Sequence, residues 1–246
     1  MMLPNLPLTV EEWLLASLVL VGGAVVQGSV GFGVALLGAP LLFLVNPALV
    51  PGPMLIAGLT LPALILLRDR AGLLKGPVAW ALAGFLVGSV LAGGLVALLP
   101  GDGLALVFGG LVLLAVALSA LGWAPAEPRG RHLAAAGTLA GFMATATSIG
   151  GPPLALVFQN ASGKRLRATL SAIFVPGGLF ALLSLAAVGR FDGAGLVLGL
   201  ALLPAVFAGF WLSGFTIRAL DRAWLRPAVL AVSAVAGAGA MARALV

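Results

Sequence analysis

The chain has 246 residues, of which 62% are hydrophobic and 8% charged, with a net charge of +6 and no cysteine. Its mean hydropathy of +1.22 excludes an ordinary water-soluble domain, and the lack of cysteine excludes disulfides, thiolate metal sites and cysteine nucleophiles. The basic residues are scattered between apolar segments without interleaved aromatics, which excludes a nucleic-acid partner as well.

From Trp13 to Leu67 no side chain is charged. A hydrocarbon core about 30 Å thick takes roughly 20 apolar residues per helical span, so this interval alone supplies two or three passes. The first ten residues hold no Lys or Arg, so the charged start of a cleavable signal is missing and the first span is expected to stay. Apolar segments are predicted over 12–28, 33–46, 52–67, 76–99 and 103–123, and again over 132–148, 151–160, 168–188, 193–216 and 223–242. Segments 33–46 and 151–160 are too short to cross comfortably and read as returning arms of helical hairpins.

Five units followed by five suggest duplication. An offset of 119 places Ser29-Val30-Gly31 on Ser148-Ile149-Gly150 and Asp102 on Asp221, and one further step places Gly94 on Gly214. The expected organisation is a first repeat at 1–124, a connecting loop at 125–131 and a second repeat at 132–246, all within one membrane domain.

Charge then orients the halves, because short cytoplasmic loops are rich in Lys and Arg. If each half crosses an odd number of times, the cytoplasm receives Arg68, Arg70 and Lys75; Arg129, Arg131 and His132; Lys164, Arg165 and Arg167; and Arg218, Arg222 and Arg226. Of the 13 Lys and Arg only Arg190 and the terminal Arg243 fall outside. Four crossings per half would instead expose Lys164–Arg167 and Arg218–Arg226. The expected fold class is therefore an all-α polytopic membrane protein of two inverted halves. Each half has a broken-helix hairpin plus three spanning helices, eight full spans and two short re-entrant arms in all, with both termini outside.

The first break reads Gln27-Gly28-Ser29-Val30-Gly31-Phe32-Gly33, and the second reads Thr145-Ala146-Thr147-Ser148-Ile149-Gly150-Gly151-Pro152-Pro153. Glycine lets the backbone turn sharply, and proline suits a first helical turn because its missing N–H would be unpaired there. Short, glycine-interrupted segments at matching positions of two halves point to a transporter's binding site. Helix N-termini at depth attract anions, and Gln27, Ser29, Thr145, Thr147 and Ser148 add neutral donors suited to an oxyanion that must be released again. The alternative is that these residues cap helix ends or pack between helices.

Arg167 opens a long uncharged segment and is a candidate to meet substrate at the cytoplasmic mouth; the alternative is that it snorkels to headgroups. Gln159 and Asn160 end the short arm and read as caps, with lining a vestibule as the alternative. His132 lies beside Arg129 and Arg131 in the central loop and reads as a solvated loop residue. All seven acidic residues fall at or near predicted span ends, so a mid-span carboxylate relay and a paired hydrolytic base are both missing. Trp13, Trp80, Trp123, Trp211 and Trp224 mark span ends. The many Gly and Ala of the fourth, ninth and tenth segments read as packing within one chain, with a homodimer as the alternative.

The second break, Gly141-Phe142 through Ile149-Gly150-Gly151-Pro152-Pro153-Leu154, followed by Lys164-Arg165-Leu166-Arg167-Ala168-Thr169-Leu170, resembles the TauE/SafE (TSUP) family of sulfite and organosulfonate exporters. Gln27-Gly28 and Gly31-Phe32-Gly33 match that pattern more loosely, Phe32 standing where another glycine is common. The resemblance covers essentially the whole chain. It implies a non-enzymatic secondary transporter of the cytoplasmic membrane that moves sulfite, sulfoacetate or related organosulfonates by alternating access. No cofactor is implied, and a coupled proton would travel on the anion. Its substrate-binding candidates are Gln27, Ser29, Gly31, Gly33, Thr145, Thr147, Ser148, Gly150, Gly151 and Arg167. An anion-selective channel, or a transporter of other small organic anions, is the alternative.

Overall fold

The computed structural model describes residues 8–30, 33–121, 129–158, 160–161, 163–216 and 222–245. Its main elements are α1 (Val10–Val30), α2 (Val34–Val45), α3 (Gly52–Asp69), α4 (Lys75–Leu98) and α5 (Gly101–Leu121), then α6 (Gly130–Thr147), α7 (Gly151–Val157), α8 (Gly163–Ala187), α9 (Gly193–Ala201), α10 (Leu203–Thr216) and α11 (Arg222–Leu245). The described residues form no β-strand.

Local chemistry sets several of these ends. Thr9 Oγ1 accepts the Glu12 N–H at 3.1 Å while Glu12 Oε2 accepts the Thr9 N–H at 2.7 Å, a reciprocal box that starts α1. Asn46 Nδ2 donates to Glu12 Oε1 at 3.1 Å, so the end of α2 returns to the start of α1. That contact makes α1 and α2 an out-and-back pair. Asp192 Oδ1 accepts the Gly195 N–H at 2.9 Å and starts α9. Segment 193–216 is two helices rather than one, because Pro204 has no N–H to continue the ladder through Leu202. α8 begins at Gly163, ahead of the predicted 168, since a first turn bearing Lys164, Arg165 and Arg167 is as helical as the apolar turns after it.

Contacts between helices fix their directions. α4 and α6 run parallel, Gly137 lying against Ala81 and Gly141 against Phe85. α1 and α10 also run parallel, with Val21 at Gly209 and Gly28 at Ser213. α3 and α8 run antiparallel, Leu59 meeting Gly178 while Asp69 meets Arg167. α5 and α11 are antiparallel as well, through Gly109 against Met241 and Val112 against Gly237. α2 packs on α11 and α7 on α5.

Among the described residues six stretches are long and apolar enough to cross a bilayer: 10–28, 52–72, 76–98, 101–121, 163–187 and 193–215. The eight expected from the sequence would add α6 and α11. Large apolar side chains face outward along these helices, among them Leu18, Val90, Leu183, Phe207 and Trp211, an exposure that water would penalise and lipid rewards. The chain is an integral membrane protein.

One end of the bundle collects the cations. Gly72 abuts the backbone of Lys164 and Arg165, Arg167 reaches Asp69, and Gly130, beside Arg129 and Arg131, sits on the Trp80 ring near the start of α4. At the opposite end Arg190 Nη2 donates to the Leu99 carbonyl at 3.0 Å and Arg243 Nη1 to the Leu44 carbonyl at 3.0 Å.

Candidate functional site

Both helix breaks turn back inside the bundle. In the first half the chain runs down α1 past Gly23 to Gly28, then returns so that Val34, the first residue of α2, lies beside Gly23. Gly33 makes the re-entry at φ 135°, a conformation glycine tolerates and side-chain-bearing residues rarely adopt. Gln27 Oε1 accepts the Val34 N–H at 3.1 Å and so caps α2 across the break. Its carboxamide NH₂ is then the part of that side chain left to donate.

In the second half Ser148 takes the left-handed conformation at φ 67° and ends α6. Thr147 Oγ1 donates to the Met143 carbonyl at 2.7 Å and accepts the Ile149 N–H at 3.2 Å. Ser148 Oγ donates to the Pro51 carbonyl at 2.8 Å, tying this break to the start of α3. α7 then begins with Pro152 and Pro153 in its first turn, as the sequence suggested. Because those prolines have no N–H, Gly150 and Gly151 supply the backbone donors at this tip.

The two breaks converge on one cavity of about 40 Å³. Gln27, Gly33 and Val34 line it from the first half, and Ser148, Ile149, Gly150, Gly151 and Pro152 from the second. Leu55, Gly58 and Pro62 of α3 face Phe174 and Gly178 of α8 across it, and Phe85 of α4 closes another side. Among the described residues no charged side chain lines it. The wall thus presents the Gln27 carboxamide and the backbone of the Gly150–Gly151 tip within an apolar frame, the Ser148 hydroxyl proton being given to the Pro51 carbonyl.

The sequence candidates divide accordingly. Gln27, Gly33, Ser148, Gly150 and Gly151 meet at the cavity. Thr147 is buried next to it, with its hydroxyl committed to the α6 end. Thr145 is fully buried away from the cavity wall, and its hydroxyl and that of Ser89 have no hydrogen-bond partner among the described residues. Gly31 and Gln159 lie outside the described residues, as does the side chain of Ser29 in the last turn of α1. Arg167 is not at the cavity; its Nε donates to Asp69 Oδ2 at 2.6 Å, with both side chains about nine-tenths buried.

Two residues that sequence reasoning treated as loop charges have specific partners. Asp69, at the end of α3, receives Arg167 and lies 3.5 Å from Arg68 Nη2. Arg68 Nη2 donates to the Gly28 carbonyl at 2.9 Å, and its guanidinium stands 5.3 Å above the Phe210 ring, so it holds an orphan carbonyl at the first break. The signal was the Arg68-Asp69-Arg70 triplet itself, one acid inside a basic loop. The described residues contain no cluster of His, Cys, Asp or Glu able to hold a metal ion.

An all-helical membrane bundle whose interrupted helices meet at one small cavity is the arrangement in which transport proteins built on broken helices place their sites. Within that class the family model described as Sulfite exporter TauE/SafE matches residues 15–240, and the chain belongs to that family. No curated protein and no solved structure matches the chain.

Proposed function

We propose that this protein is a secondary transporter that exports small sulfur-containing anions, sulfite, sulfoacetate or related organosulfonates, across the cytoplasmic membrane by alternating access. The observation that carries the reading is the meeting of both breaks at one cavity lined by neutral donors, in a chain of the sulfite exporter family. Substrate sits between Gln27 and the Ser148–Gly151 tip, and rocking of one half against the other opens it to alternate sides.

The halves are two inverted repeats, 1–124 and 132–246, joined by 125–131. Support comes from direction: the helices that correspond by order, α3 with α8 and α5 with α11, run antiparallel. The 119-residue offset also brings Leu55 onto Phe174 and Gly33 onto Pro152, pairs that line the same cavity. In this reading α6 and α11 complete eight crossings, α2 and α7 are the re-entrant arms, and the cation-rich end is cytoplasmic. Among the described residues no titratable side chain lines the cavity, which supports a coupled proton travelling on the anion. Substrate leaves the cavity toward the end where Arg190 and Arg243 lie.

The test is sulfite counterflow in proteoliposomes. Ser148→Gly removes the hydroxyl while keeping a residue at ease with positive φ, and Gln27→Ala removes the carboxamide. Gln27→Ala loses a hydrogen bond to a charged ligand, about 1.5–3 kcal/mol, which raises the half-saturating sulfite concentration roughly 10- to 100-fold, and Ser148→Gly releases the second tip from the Pro51 carbonyl that its hydroxyl holds. Unchanged counterflow in the double variant would remove the cavity from the transport path. Flux without counterflow would make the protein a channel.

A further inference from the structure

We infer that the end of α6 binds a small, hard monovalent cation such as sodium, held by the hydroxyls of Ser89 and Thr145 and by the last carbonyls of α6. The two broken helices end differently. α1 has a cation of the protein's own, since Arg68 Nη2 donates to the Gly28 carbonyl at 2.9 Å. The 119-residue offset carries Gly28 onto Thr147 and Arg68 onto Ala187, so the second half has no counterpart of that guanidinium. Arg190, the next cation in the chain, is engaged with the Leu99 carbonyl at 3.0 Å instead. At the end of α6 the Ala144 carbonyl accepts the Ser148 N–H at 2.7 Å, and the carbonyls of Thr145, Ala146 and Thr147 accept no hydrogen bond from the described residues. They form the negative end of the helix dipole, on residues of which Thr145 and Thr147 are fully buried.

Two hydroxyls belong to the same place. Ser89 and Thr145 are fully buried, and neither hydroxyl has a hydrogen-bond partner among the described residues. Thr60, Thr138, Thr147 and Ser233 show the ordinary arrangement, each donating to the carbonyl four residues back in its own helix. The register of the seam brings the two exceptions together: Ala81 lies against Gly137 and Phe85 against Gly141, so the next turn sets Ser89 of α4 against Thr145 of α6. Unpaired hydroxyls in an apolar interior are costly, and a cation satisfies both through their oxygens. Serine and threonine hydroxyls are neutral oxygen donors like the carbonyls at the ends of broken helices, which coordinate sodium in membrane transporters. A calcium ion would call for carboxylates, and neither α4 nor α6 carries an Asp or Glu. Phe85, one turn before Ser89, and Ala144, next to Thr145, line the central cavity, which gives the ion its route. The bound cation then does for α6 what Arg68 does for α1.

Thermal melting of the purified protein in sodium chloride against choline chloride of equal concentration tests the site. The anion is common to both salts and no sulfite is present, so the outcome stands apart from the transport reading. Sodium at about ten times its dissociation constant is expected to raise the midpoint by roughly 3–6 °C. Thr145→Val and Ser89→Ala each reduce that rise, and the double variant abolishes it. In choline the same variants melt no lower than the unmodified protein, because an apolar group replaces an unpaired hydroxyl. Thr60→Val, which removes a hydroxyl already bonded to the Ile56 carbonyl, keeps the full rise. Where the double variant does not fold, binding of radiolabelled sodium to the Ser89→Ala protein decides the same question. Equal midpoints in the two salts, or a sodium rise that survives in the double variant, would overturn the site. Variants destabilised equally in both salts would assign the hydroxyls to a buried water and overturn it as well.

Discussion

Valine at Gly141 prevents the protein from folding, and alanine there lowers its thermal midpoint in detergent by about 10 °C or more. The reason is the seam between α4 and α6. Each helix carries two glycines four residues apart, Gly84 and Gly88 on α4 and Gly137 and Gly141 on α6. A Cβ on any of the four would collide with a backbone carbonyl oxygen of the other helix: Ala134 and Thr138 for the α4 glycines, Ala81 and Phe85 for the α6 pair. A backbone atom cannot rotate away as a side chain does, so the helices must separate. The cost exceeds the roughly 1–3 kcal/mol of ordinary overpacking. In lipid such seams are a main source of helix association, because contact between small residues replaces the hydrophobic drive that water supplies. Gly94 and Gly110 are the controls: each has open space where a Cβ would go, so alanine there is neutral or stabilises by up to about 1 kcal/mol. Size-exclusion profiles and melting curves of the four seam alanine variants and the two control variants separate the seam from the controls. A Gly141→Ala protein that melts with the Gly94→Ala control would show that the seam is not the contact that holds these helices.

Asp69→Ala has the second large effect. Removing one member of a buried pair leaves the other charge unmatched, which costs about 3–5 kcal/mol, whereas replacing both members by apolar residues of similar volume is often neutral or better. Asp69→Ala is therefore expected to be far less stable than the Asp69→Leu/Arg167→Met double variant, although the double change removes more polar atoms. Arg68 is 29% exposed and 3.5 Å from Asp69, so it replaces little of what Arg167 supplies. The pair also joins the end of α3 to the start of α8, beside the Leu74 N–H that donates to Thr169 Oγ1 at 3.2 Å. Melting curves of the single and double variants, read as a cycle, measure the coupling. If the double variant is as unstable as Asp69→Ala, the pair is not what holds that end together.

Much of this architecture could be read from the residues alone. Apolar run lengths located the helices to within a few residues, because hydrocarbon thickness dictates run length directly. The glycine and proline spacing located both breaks, since glycine meets the backbone demand at Gly33 and proline suits the first turn of α7. What could not be read were partners distant in sequence. Arg167 looked like a charge facing headgroups or substrate, and its carboxylate lies 98 residues away, across an antiparallel pairing that no local pattern encodes. The many Gly and Ala of the fourth segment announced close packing, but not that α4 would pair in parallel with α6. Thr145 and Thr147 sat in the right motif, yet helical spacing turns Thr145 away from the cavity and spends the Thr147 hydroxyl on its own helix end. Phe85 carried no signal at all, being one aromatic among many in an apolar helix.

The central claim is that the cavity between the two breaks binds a sulfur oxyanion, and the thermal stability of the purified protein against sulfite, sulfate, thiosulfate, sulfoacetate, acetate and chloride tests it most directly. An anion at 100 times its dissociation constant stabilises the folded state by about 2.7 kcal/mol. The account predicts that sulfite raises the midpoint, that acetate and chloride do not, and that the rise disappears in the Gln27→Ala/Ser148→Gly variant. A folded protein whose midpoint no anion moves, or a sulfite shift that survives in that variant, would contradict it.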